Sequence, residues 1–124
     1  MKKKIPYGLH DLDKADIKEV VDVLKKGPIT QGKRVEDFGQ ALADYAGARY
    51  GVAVSSGTAA LHLSVVSLGI VPGDEVITTP MTFCATANAV LYQGAEVRFV
   101  DIDENTLNLN PELIEAQITE RTKA

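Results

Sequence analysis

An α/β fold with parallel strand pairing is what this sequence of 124 residues predicts, on three observations. Beyond Gly47 a short apolar run gives way to a helical pattern three times: "YGVAV" (50–54), "PGDEVITTP" (72–80) and "AEVRFVDID" (95–103). Small, polar or capping residues stand at each junction. Strand and helix alternating in this way argue for parallel strands joined by right-handed crossovers. Ligands of such sheets bind outside the carboxyl ends of the strands, where Ser55 to Ala59, Thr78 to Phe83 and Asp101 to Asp103 are expected to converge.

The elements follow in order. From Asp13 to Lys26, Ile17, Val20, Val21, Val23 and Leu24 recur at helical spacing, with Asp13 as cap and Gly27-Pro28 as stop. "GPITQGKR" reads as a loop. A second amphipathic helix is expected from about Val35 to Tyr45, with Phe38, Leu42 and Tyr45 on one side and Gly47 past its end. Strands at 51–54, 75–79 and 96–100 are then expected, with helices over 58–68 and Phe83 to Tyr92 and another begun by Asn110 and Pro111. The boundary falls between an N-terminal helical part, 1–48, and the α/β part, 49–124.

Composition narrows the function. Hydrophobic residues make up 45% and charged ones 24%, as in an ordinary globular chain, and no apolar run is long enough for a membrane span. The net charge of −4 disfavours a nucleic-acid binder. Lys2 to Lys4 read as a solvated tail, and no apolar run follows them to make a signal peptide. The single cysteine, Cys84, fits a reducing cytoplasm and, with no base identifiable beside it, reads as inert and buried.

"AVSSGTAALHL" (53–63) sets small, bare residues at a helix start. Unpaired backbone N–H groups and partial positive charge make such a turn an anion site. Gly57 allows close approach, and Ser55, Ser56 and Thr58 add hydroxyls. On local sequence alone Ser56 or Thr58 reads first as a plain N-cap. The stretch is neither a G-x-G-x-x-G nor a P-loop fingerprint, so a phosphate of another kind is called for.

Together, "GPITQG", "FGQALADYAGARYGVAVSSGTAALHL", "PGDEVITTPMTFCATANAVLYQGAEVRFVDID" and "ITERTKA" resemble the N-terminal part of the DegT/DnrJ/EryC1/StrS family of pyridoxal-phosphate-dependent sugar aminotransferases, from Ile5 to Ala124. The resemblance implies the first part of a fold-type I large domain over 49–124, with pyridoxal 5'-phosphate as cofactor. It implies that Gly57, Thr58 and Ala59 hold the cofactor phosphate and that Phe83 stacks on the pyridine ring. On local sequence alone Phe83 reads as core filling, and it is the resemblance that makes it a stacking ring. "GPITQG" resembles the family's substrate-side loop, which makes Thr30 and Gln31 candidate sugar-nucleotide contacts as well as members of an ordinary connection. A nucleotide-sugar substrate, an amino-acid donor with glutamate expected, and a homodimer of the full-length protein are implied; nucleic acid and membrane are not.

The chemistry also needs a lysine to anchor the cofactor and a carboxylate at the pyridine nitrogen. In the family both lie beyond the point where this sequence stops, so no catalytic residue is assigned here, Lys123 included. The family's sheet topology likewise sets the 51–54 strand at one edge and the 75–79 and 96–100 strands at the other. The chain is therefore expected to be incomplete and inactive alone. The alternatives are a sugar dehydratase of the same family, or a non-catalytic fragment that only binds or pairs. His10 and His62 lack metal-ligand neighbours, so no metal site is expected. Asp101 and Asp103 read as strand end and turn.

Overall fold

The computed structural model describes residues 5, 6 and 8–124, so the Lys2 to Lys4 cluster lies outside the described residues. The chain falls into two compact units, one ending at Ala53 and one from Val54 to Ala124.

The first unit holds α1 (Lys14–Lys26) and α2 (Lys33–Ala46). Asp13 caps α1 with a reciprocal box: its carboxylate accepts from Ala15 and Asp16 N–H, and the Asp16 carboxylate accepts from Asp13 N–H. Gly47, at φ +66°, closes α2 in the left-handed conformation, with N–H bonds back to Ala43 and Asp44. An Arg34–Glu19 ion pair joins the two helices. Gly39 and Ala43 are the buried positions of α2. A Cβ on Gly39 would stand 2.7 Å from the Gly51 carbonyl oxygen, so α2 lies backbone to backbone on the extended segment that follows it.

That segment is not a strand. The expected strand at 51–54 does not form, because a strand requires a hydrogen-bonded neighbour and none pairs with these residues among those described. The α1 stripe of Ile17, Val20 and Leu24 is exposed throughout.

The second unit runs α3 (Gly57–Ser67), β1 (Glu75–Thr78), α4 (Ala85–Leu91), β2 (Glu96–Phe99) and two short 3-10 turns, Pro111–Leu113 and Glu115–Gln117. β1 and β2 pair in parallel, with Glu75 beside Glu96 and Thr78 beside Phe99. The crossover through α4 is the expected βαβ unit. Side chains alternate across the sheet, and Val76 and Val97 project to one face, onto a core of Ile70, Val90 and Ala95 with Val65 of α3. Residues 121–124 run along the other edge of β1: Glu75 N–H donates to Arg121 O at 2.8 Å, Lys123 N–H to Glu75 O at 2.9 Å and Ile77 N–H to Ala124 O at 2.8 Å.

Two expectations about helices change. The helix expected from Phe83 begins at Ala85, because the Phe83 carbonyl takes a tight bond from Thr86 N–H, two residues before the regular ladder is established. The helix expected after Asn110 is two 3-10 turns, held by bonds such as Ile114 N–H to Pro111 O and Gln117 N–H to Ile114 O. A segment this short gains too few bonds to offset the cost of an α-helical nucleus.

Candidate cofactor-phosphate turn and ring platform

Residues 55–57 lead from the extended segment into α3, and Ser56 is the N-cap: its Oγ accepts from Ala59 N–H at 3.1 Å. Of the two N-caps open to the sequence, the structure uses Ser56. Ala60 N–H takes the Ser56 carbonyl at 3.0 Å. The N–H groups of Gly57 and Thr58 meet no acceptor among the described residues. A Cβ placed on Gly57 would meet nothing within 4 Å, so the approach to these two donors is open. The turn is electropositive and solvent-facing, which suits a tetrahedral anion.

Phe83 stands in the turn that precedes α4, in the same unit. The residue is 74% exposed, so it is not core filling in this chain and offers an open apolar face. The helices that begin at these two places, α3 and α4, pack against each other. His62 of α3 reaches the end of α4, with Nε2 2.7 Å from the Gln93 side-chain nitrogen and its ring edge-on to Tyr92 at 5.4 Å between centroids. The histidine is thus a satisfied helix-pairing residue. Cys84 requires a correction: it is exposed rather than buried, because the turn that displays Phe83 also displays its neighbour.

The aspartates also hold turns. Asp103 Oδ1 accepts from Asn105 and Thr106 N–H, at 3.0 and 2.8 Å. The Thr106 bond, with Asn105 adding to it, holds the Asp103 carboxyl below its ordinary range. Asp101 accepts from Ile102 N–H through its side chain and from Asn110 N–H through its carbonyl. Among the described residues no group of three or more His, Cys, Asp or Glu side chains could hold a metal.

Thr30 and Gln31 lie in the first unit, both exposed, on the loop between α1 and α2. Gln31 has φ +59° and Gly32 φ +106°, and a Cβ at Gly32 would meet the Pro28 ring at 2.8 Å. Gln31, but not Thr30, lines a concavity of about 640 Å³ with Asp22, Lys26, Pro28, Ile29 and Arg34.

Sequence reasoning missed a cluster on the second face of the sheet. Glu75 is wholly buried there, with Arg98, Thr119 and Arg121 around it. The available signal was an acidic residue opening an apolar strand, but its partners are far along the chain.

The profile of the DegT/DnrJ/EryC1/StrS aminotransferase family matches residues 10–124. The chain is 48% identical over 120 residues to the spore coat polysaccharide biosynthesis protein SpsC of Bacillus subtilis, covering 97% of this chain and 31% of that protein. It is 45% identical over 119 residues to the UDP-4-amino-4-deoxy-L-arabinose–oxoglutarate aminotransferase of Shewanella sediminis, covering 96% and 31%. A Streptococcus pneumoniae protein assigned as a sugar aminotransferase, solved in its PLP form, superposes with a TM-score of 0.86 at 38% identity, covering 97% of this chain and 31% of that one. The chain therefore spans about a third of the length of these relatives. The α/β architecture, the free N–H pair at the start of α3 and these matches carry one conclusion: the chain belongs to the DegT/DnrJ/EryC1/StrS aminotransferase family.

Proposed function

We propose that this chain supplies the phosphate turn and the ring platform of a pyridoxal-phosphate-dependent sugar aminotransferase. The whole protein would move an amino group, from glutamate as donor, onto a keto-sugar nucleotide for polysaccharide or glycan synthesis in the cytoplasm. The observation that carries the reading is the open pair of Gly57 and Thr58 N–H groups at the start of α3, with an exposed aromatic ring in the same unit. Its support in relatives is that the pneumococcal protein is solved in both PLP and PMP forms.

The residues present fit the cofactor. Gly57 and Thr58 would donate to phosphate oxygens, and the positive end of α3 would favour the dianion. Ala59 N–H would join them if Ser56 Oγ turned from it to the anion. Phe83 would cover one face of the pyridine, fixing its plane and excluding water on that side. Bound there, pyridoxal phosphate supplies the electron sink that amino transfer requires. Thr30 and Gln31 would contact the sugar nucleotide, and the strained backbone at Gln31 would aim that side chain. The 1–48 segment would form a helical arm that serves a homodimer, and 49–124 the first part of the cofactor domain.

The site has a direct test. The full-length protein should bind pyridoxal phosphate saturably, and Phe83→Ala together with Thr58→Pro should weaken that binding at least tenfold. The 124-residue chain treated with pyridoxal phosphate and borohydride should show label scattered over its lysines. Stoichiometric label on one lysine, followed by a glutamate half-reaction, would overturn the view that the anchoring lysine lies outside this chain.

A further inference from the structure

Parallel register sets Glu75 of β1 beside Glu96 of β2, both on the face opposite Val76 and Val97. Cβ atoms at such paired positions stand about 5 Å apart, and like charges there repel. Glu75 has no solvent exposure, so water cannot screen it. Its Oε2 is satisfied from two sides: Arg98 Nε donates at 2.7 Å and the Thr119 hydroxyl at 2.6 Å. Its Oε1 is left with no aligned hydrogen-bond donor and only an ion pair to Arg121. Arg121 also forks onto Glu96, with Nη1 3.0 Å from Oε1 and Nη2 3.2 Å from Oε2. Among the described residues it is the one side chain that touches both carboxylates.

The main chain of that residue begins the segment that runs along the other edge of β1. Arg121 O accepts from Glu75 N–H, and Thr122 bridges Glu75 in parallel. Side chain and backbone of Arg121 thus engage the same residue of β1. Main-chain bonds alone carry no register, since a two-residue slip would pair the backbone equally well. The guanidinium does carry register, because only one alignment brings it between the two glutamates.

We propose that Arg121 is a charge latch: the Glu75–Glu96 position is a receptor built for one guanidinium, and filling it fixes residues 121–124 in register as the third strand on β1. Glu75 and Glu96 are then positioning residues for that strand, not catalytic ones.

Amide hydrogen exchange on the 124-residue chain tests this. The Ile77 amide, bonded to Ala124 O, reports the third strand, and the Glu96 amide, bonded to Asp74 O, reports the β1–β2 side. Arg121→Gln should speed exchange at Ile77 by tenfold or more, with Arg121→Lys intermediate. Unchanged protection at Ile77 in Arg121→Gln would overturn the latch. Should that variant fail to fold, Glu96→Gln decides: it keeps every Glu75 contact and should speed Ile77 at least threefold while leaving the Glu96-position amide unchanged. Equal exchange at the two amides in Glu96→Gln would overturn it as well.

Discussion

The Ser56 hydroxyl oxygen lies 3.1 Å from the amide nitrogen of Ala59, three residues on, and this bond caps the first turn of α3. It satisfies one donor of the helix start and leaves those of Gly57 and Thr58 facing solvent. Ser56→Ala should therefore destabilise the second unit by about 1 kcal/mol, the usual worth of a serine cap. Urea titration followed by circular dichroism measures it, and an unchanged midpoint would show that the cap is not needed.

Anion binding should follow from the same turn. Phosphate or pyridoxal phosphate should shift the amide resonances of Gly57 and Thr58 most, with Ala59 next. Largest shifts elsewhere in the chain would place the anion site away from α3.

Phe83 separates a stability role from a binding role. Because the residue is 74% exposed, Phe83→Ala should change the stability of the chain by less than about 0.5 kcal/mol. In the full-length protein the same change should weaken cofactor retention, while Phe83→Tyr and Phe83→Trp keep it. Spectrophotometric titration of the three variants checks this; equal affinity in all of them would remove the stacking role.

At Gly39, one methyl group would press on the Gly51 carbonyl at 2.7 Å. Alanine favours a helix over glycine by about 1 kcal/mol, but forced overpacking against a backbone carbonyl costs about 1–3 kcal/mol, so Gly39→Ala should be a net loss of up to about 2 kcal/mol. A thermal melt showing stabilisation would mean that the segment at Gly51 moves away freely.

Acid should act through Glu75. The Thr119 hydroxyl bond, with Arg98 and Arg121 beside it, holds the carboxyl below its ordinary value of 4.5 against the opposing effect of burial. A depressed carboxylate contributes stability that is fully present above the unfolded pKa and is lost as pH falls through the folded one. The contribution of Glu75 should thus be intact at neutral pH and disappear only below 4.5. A carbon-13 titration of its carboxyl with a midpoint at or above 4.5 would contradict the arrangement.

How much was legible in the sequence depended on distance along the chain. Asp13 and Gly27-Pro28 bound α1 through bonds to near neighbours, and the structure keeps those limits. β1 and β2 were legible because apolar runs and the intervening helix together imply a crossover. Residues 51–54 carry an equally good strand pattern, but a strand is a property of a pair. The small residues of 55–59 pointed to a turn, while which hydroxyl caps it depended on backbone angles at Ser56. Cys84 and Phe83 illustrate the remaining gap: exposure is decided by what packs nearby, which local composition does not encode. Glu75 was hidden for the same reason, since it meets Arg98 and Thr119 from elsewhere in the chain.

Those separations have a kinetic meaning. Glu75 meets Arg98 across 23 residues and Thr119 across 44. Closing the longer loop costs about 0.6 kcal/mol more in chain entropy than closing the shorter one, because the cost rises only with the logarithm of length. The small difference means that either partner can reach Glu75 first on entropy alone, but only the β1–β2 crossover carries apolar side chains to reward early closure. Folding of the second unit should run outward from the Val76–Val97 contact, with residues 119–124 arriving last, so substitutions at Thr119 or Arg121 should speed unfolding and leave the folding rate nearly unchanged.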